Sequence, residues 1–290
     1  MKEIIIISGK GGTGKTTVTA AFASLAERKV MADCDVDAAD LHLILQPTIR
    51  HTEEFRSGKT ASIRLQDCRR CARCINVCQF SAISDDYIID PVACEGCGVC
   101  VHFCPFNVID FNENHSGYWY VSETRFGTLV HAKLGIAEEN SGKLVTLVRQ
   151  QARLAAEEQQ ADYIIVDGSP GIGCPVISSI TGANAVLIVT EPTLSGLHDV
   201  ERVVTLANGH FRIPTYICVN KFDLNLDITQ QIRDLSEKHG AKFVGQIPYD
   251  NVTTEAMVAG KNVIEYSDNP VATAIRSVWQ QVNNGNPKGM

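Results

Sequence analysis

Short, mainly apolar runs recur along the chain at 4–8, 30–32, 163–166, 185–190, 216–219 and 243–244. Continuous apolar runs of this length read as strands buried on both faces. Between several of them the apolar residues switch to helical spacing. Examples are Leu144, Leu147, Val148 and Leu154, then Val200, Val203, Val204 and Ala207, then Ile228, Ile232 and Leu235. Strands that alternate with helices predict an α/β fold, a mostly parallel sheet covered by helices on both faces. The segment 61–112 breaks this rhythm. The expected organisation is therefore one α/β domain in two pieces, 1–60 and 113–290, with a small α+β domain at 61–112 inserted after the second strand. A chain of 290 residues has room for both.

Composition narrows the class. At 44% hydrophobic and 20% charged residues the chain is globular rather than fibrous or disordered. A net charge of −7 argues against a nucleic-acid binder held by overall basic charge. No apolar run approaches the roughly 18 residues of a membrane span. The apolar stretch Ile4-Ile5-Ile6-Ile7 is shorter than the core of a signal peptide, so a cytoplasmic location is expected. The last amphipathic segment (Val271, Ala274, Ile275, Val278, Val282) carries a single basic residue, Arg276. A membrane-surface helix would present a basic face, so this one is expected to dock on its own core.

Gly9-Lys10-Gly11-Gly12-Thr13-Gly14-Lys15-Thr16 follows an expected strand and opens an expected helix, the context of a phosphate-binding loop. Its glycines let backbone N–H groups converge on phosphate at a helix N-terminus. Lys15 would reach the β- and γ-phosphates, Thr16 would offer a hydroxyl to Mg²⁺, and Thr17 completes the nucleotide-binding segment.

The additional lysine, Lys10, makes the loop resemble that of the deviant phosphate-loop ATPases, the superfamily of MinD, ParA, the arsenite-pump ATPase and the nitrogenase Fe protein. The resemblance implies an ATP-dependent homodimer in which Lys10 reaches the partner's nucleotide. Asp33-Cys34-Asp35-Val36-Asp37 resembles the first switch, with Asp35 orienting the attacking water. Asp167-Gly168-Ser169-Pro170-Gly171 resembles the second, with Asp167 holding Mg²⁺ through water. Asn220 matches the adenine contact of that family, whereas Asp223, ending Asn-Lys-x-Asp, also fits guanine reading. The motifs together favour ATP and leave GTP open.

Eight of the eleven cysteines lie in the segment 61–112. Cys68, Cys71, Cys74 and Cys78 are repeated 26 residues later as Cys94, Cys97, Cys100 and Cys104, and Phe80 and Ile83 recur as Phe106 and Ile109. This is the pattern of bacterial two-cluster ferredoxins, in which the fourth cysteine of each run serves the other run's cluster. Cys68, Cys71, Cys74 and Cys104 are expected to hold one 4Fe–4S cluster, and Cys94, Cys97, Cys100 and Cys78 the other. Gln79 stands where the usual proline would follow Cys78, a change that removes no ligand. A zinc domain would leave several thiols without a role.

The remaining cysteines, Cys34, Cys174 and Cys218, read as small packing residues. A bridging cluster like that of the nitrogenase Fe protein would need Cys174 and a second cysteine, which Glu139-Asn140-Ser141 does not supply. The eight histidines show no ligand spacing. Two functions follow. The first is an ATPase that gates electron transfer through two 4Fe–4S clusters to a partner redox protein. The second is an ATPase that assembles or delivers metal cofactors to a maturation partner. Known carriers of the superfamily use a C-x-x-C pair near the C-terminal end, and here no cysteine follows Cys218, which favours electron transfer.

Overall fold

The computed structural model describes residues 1–135 and 141–285. Glu139 and Asn140, where a second bridging cysteine was sought, lie outside the described residues. Two compact units divide the chain. Among the described residues the first comprises 1–53, 118–134 and 141–285, and the second comprises 54–117 with Gly135.

Among the described residues nine strands form one sheet: β1 (Lys2–Ser8), β2 (Lys29–Asp33), β3 (Thr48–Ile63), β4 (Ile109–Thr124), β5 (Gly127–Leu134), β6 (Tyr163–Pro170), β7 (Ala185–Thr190), β8 (Thr215–Asn220) and β9 (Lys242–Ile247). Their order is β3-β4-β5-β2-β6-β1-β7-β8-β9. Pairing is parallel from β5 through β2, β6, β1, β7 and β8 to β9. The apolar runs are the centres of these strands; Ile4 to Ile7 of β1 are fully buried.

The helices are α1 (Lys15–Leu25), α2 (Leu41–Leu45), α3 (Arg73–Val77), α4 (Val99–Phe103), α5 (Ser141–Glu158) and α6 (Cys174–Ile180). They continue with α7 (Leu194–Val204), α8 (Leu226–Lys238), α9 (Val252–Val258), α10 (Val263–Tyr266) and α11 (Pro270–Asn284). None is long and apolar enough to cross a membrane, among the described residues. The apolar stripe of α11 packs inward: Val271, Ile275, Val278 and Val282 join Phe22 of α1 and the strands in one core, where Trp279 meets Phe22 edge-on at 5.0 Å.

The strands β3 and β4 have no counterpart among the apolar runs. Most of β3 is exposed, and its buried residues, Phe55, Ser57 and Ala61, alternate with polar and charged ones, so no continuous apolar run marks it. The expected joins at 61 and 112 fall inside β3 and β4, and the second unit begins and ends along those strands. Within that unit, Ala61, Ile83, Tyr87, Val108 and Ile109 form a small core with Cys74.

Candidate functional site

The phosphate loop runs from the end of β1 into α1, at the carboxyl edge of a parallel sheet where such crevices form. Gly14 caps α1 in a left-handed conformation, φ 90°, and a Cβ there would sit 2.3 Å from the Asn220 Nδ2. Glycine is thus required twice over, by dihedral and by space. Asn220, at the end of β8, donates from Nδ2 to the Thr13 carbonyl at 2.9 Å. That bond brings the expected base-reading residue against the phosphate loop. Asp223 accepts from the Tyr249 N–H at 2.8 Å. The Thr13 hydroxyl is buried without a partner, a polar atom facing no protein group.

Lys15, 5% exposed, turns its ammonium onto two carboxylates, Asp167 at 2.8 Å and Asp35 at 3.2 Å. Thr16 donates to the other Asp167 oxygen at 2.7 Å, and Thr19, one helical turn after Lys15, donates to Asp167 at 3.0 Å. The four expected residues Lys15, Thr16, Asp35 and Asp167 therefore meet at one point, joined by Thr19. Periodicity places Thr19 on the face of Lys15, but no motif marks it. Asp33 was also not singled out: fully buried, it accepts from the N–H groups of Asp35 and Leu41 and holds the turn that presents Asp35.

The electrostatics are tightly balanced. Burial pulls the Lys15 ammonium down, but Asp167 and Asp35 outweigh it and hold the group above the ordinary lysine value. Burial, then Asp167, drives Asp33 well above the usual carboxylate range. Burial also raises Asp35, with Lys15 pulling the other way. Two short bonds tie the two switch strands together, Cys34 N–H to the Asp167 carbonyl and Ser169 hydroxyl to the Cys34 carbonyl, both 2.7 Å.

Lys10 lies apart from this group. Its ammonium rests on the Ser195 and Thr193 hydroxyls at 3.1 and 3.4 Å, in an exposed setting. Cys34 and Cys218 are buried as expected. Cys174 is not: it is exposed, at the start of α6 directly after the Gly171-Ile172-Gly173 loop.

The cysteines of the second unit gather around two small cavities. Cys68, Cys71, Cys74 and Cys104 line one; Cys78, Cys94, Cys97 and Cys100 line the other. Each cavity thus takes its fourth thiol from the opposite run. The duplication extends to the backbone. Arg70, Ala72 and Ser81 have positive φ of 52°, 61° and 52°, and Gly96, Gly98 and Asn107, each 26 residues on, have 62°, 72° and 53°. Helices α3 and α4 start one residue after the middle pair and end against Cys78 and Cys104 in the same extended conformation.

The donor chemistry can be tested against the metals it suits. Among the described residues no three His, Cys, Asp or Glu side chains converge closely enough to hold a single ion. Tetrahedral zinc, with bonds of about 2.3 Å, requires that convergence. A 4Fe–4S cluster requires wider separation, one thiolate on each of four irons, and four thiols around a common cavity match it.

Residues 4–263 match the family model for the CobQ/CobB/MinD/ParA nucleotide binding domain. An uncharacterized protein of Methanocaldococcus jannaschii, MJ0578, is 33% identical over 97% of this chain and 96% of its own. An iron-sulfur cluster carrier protein of Pyrococcus abyssi is 27% identical over 49% of this chain and 52% of its own. Among solved structures, the septum site-determining protein MinD of Pyrococcus horikoshii, complexed with Mg-ADP, superposes with a TM-score of 0.61 at 17% identity, covering 99% of this chain and 97% of that one. With a phosphate-loop motif at the start of α1 and a family match over most of its length, the chain belongs to the CobQ/CobB/MinD/ParA nucleotide-binding family.

Proposed function

We propose that this protein is an ATP-hydrolysing homodimer that couples its nucleotide state to electron transfer, through two 4Fe–4S clusters, to a partner redox protein. The observation that carries the reading is the pair of cavities, each walled by four cysteines drawn from both runs, in a chain that also holds a complete phosphate-loop site. Bound clusters would supply one-electron redox chemistry. Everything else is done by the chain. With nucleotide bound, Lys15 would exchange its carboxylate partners for the β- and γ-phosphates, Thr16 would offer its hydroxyl to Mg²⁺ and Asp167 would hold that ion through water, and Asp35 would align water for in-line attack on the γ-phosphate. The first switch follows β2 and leads along the chain into β3, by which the chain enters the second unit, so nucleotide state and the cysteine-rich unit share a covalent route.

Delivery of an iron–sulfur or other metal cofactor is the second reading, supported by the partial likeness to a cluster carrier. Retention separates the two: an electron carrier keeps its iron through redox cycles, whereas a delivery protein gives it to an apo-acceptor. Anaerobically prepared protein is expected to hold about eight irons and about eight sulfides per chain. Its reduced EPR signal is expected to change on adding ATP. Zinc without acid-labile sulfide would refute the cluster reading.

Lys10 tests the dimer. Lys15 already faces the local nucleotide, and Lys10 points instead to the exposed hydroxyls of Thr193 and Ser195. A cation supplied there in trans stabilises charge that develops during hydrolysis. Lys10→Ala is expected to lower turnover at least about tenfold while nucleotide binding, dominated by local backbone N–H groups, changes little. ATP-dependent dimerisation, followed by sedimentation, should weaken in parallel. Unchanged turnover in this variant counts against a trans-acting lysine.

A further inference from the structure

The two cysteine cavities are alike in their apolar walls and unlike in their charges. Ile63, Phe106, Val108 and Ile109 line the first; Ile89, Phe80, Ala82 and Ile83, the residues 26 positions away, line the second. The charged positions break the repeat. Arg69 and Arg73 line the first cavity, whereas Glu95 and Val99 occupy the equivalent places on the second. All three charged side chains are exposed, and none takes an ion-pair partner among the described residues. A third difference lies in the backbone. The Arg70 N–H donates to the Cys68 sulfur at 3.4 Å, a bond for which Cys94 has no equivalent among the described residues.

Each difference acts in the same direction on an added electron. Cations beside a cluster, and N–H groups donating to its sulfurs, stabilise the more negative, reduced state, while a nearby carboxylate opposes it. We infer that the two sites have unequal reduction potentials, with Arg69, Arg73 and the Arg70 N–H making the Cys68/Cys71/Cys74/Cys104 site the one where an electron rests. This inference depends on the cluster reading above. With one electron per chain, the site walled by Cys78, Cys94, Cys97 and Cys100 is oxidised from the [4Fe–4S]⁺ to the [4Fe–4S]²⁺ level. The other site is reduced by the reverse change. No proton and no further reactant is needed.

The test is an EPR-monitored redox titration of the anaerobic full-length protein, poised with dithionite and mediators. Two midpoint potentials are expected, with the electron favouring one site at least about tenfold, which corresponds to about 59 mV for one electron. Arg69→Gln combined with Arg73→Gln should lower only the upper potential. Glu95→Gln should raise only the lower. Because these charges are exposed, raising the salt concentration should draw the two wild-type potentials together, a measurement that needs no variant to load its clusters. A single potential for both sites, a gap unmoved by salt, or an upper potential unmoved in the arginine double variant overturns the inference. Protein with iron and sulfide well below eight per chain refutes instead the cluster reading on which it rests.

Discussion

Lys15→Ala is expected to abolish ATP hydrolysis, by at least about 100-fold, and to leave the iron content unchanged. Both halves of this result follow from where the lysine lies. Its ammonium is the counter-ion of Asp167, which is fully buried, and of Asp35. In the nucleotide-bound state that charge is needed on the phosphates, and the loop's other cation, Lys10, points away to Thr193 and Ser195. Without nucleotide the variant also leaves two carboxylates uncompensated, and removing one partner of a buried pair costs about 3–5 kcal/mol. The variant should therefore unfold at lower temperature than wild type as well as fail to turn over. All eight cluster cysteines lie in the other compact unit, so metal analysis should still return the wild-type iron content. Hydrolysis persisting in Lys15→Ala would remove this lysine from the catalytic site. Iron lost together with activity would show that the two units are not independent.

The second large effect is expected from a cysteine that serves the other run's cavity. Cys104 closes the second run in sequence yet lines the cavity of the first. Cys104→Ala should therefore remove about four of about eight irons and spare the cluster of Cys94, Cys97 and Cys100. It should also loosen the cysteine-rich unit, because Cys104 packs against that unit's small apolar core and few residues there could replace the stabilisation that a bound cluster gives. Iron and sulfide counting with protease sensitivity of the segment 54–117 measures both. Full iron content in Cys104→Ala, or loss of the signal belonging to the second cavity instead, would reassign the ligands.

How much of this was legible in the sequence depended on how locally each feature is specified. The six apolar runs are the cores of buried parallel strands, because a strand covered on both faces has no need of polar residues. The phosphate loop was readable because glycines at set positions and a lysine at the helix start serve one geometry. The cysteines were readable through repetition alone. Strand β3 was not, since its first half is exposed and its buried residues Phe55, Ser57 and Ala61 alternate with polar and charged ones, so pairing with a neighbour rather than an apolar run defines it. Strand β4 likewise mixes buried with polar positions and has no continuous apolar run. Asp33 and Thr19 were invisible for different causes: Asp33 acts on the backbone of the turn that follows it, which no side-chain motif marks, and Thr19 acts through the Asp167 carboxylate, distant in sequence. Cys174 was expected to be buried because free thiols usually are, yet it stands exposed at the start of α6.

The exchange of fourth ligands between the two cysteine runs has a consequence for synthesis. A ribosome extends the chain at about 5–20 residues per second, N-terminal end first. When Cys68, Cys71 and Cys74 have emerged, their cavity still lacks Cys104, 30 residues behind Cys74. Cys78 waits similarly for Cys94, Cys97 and Cys100. Neither cavity can gather its four thiols before the second run is out, and the two are completed within a few residues of each other. Loading of either expected cluster would therefore wait until the second run has emerged, and a chain interrupted between the runs carries the full thiol set of neither cavity.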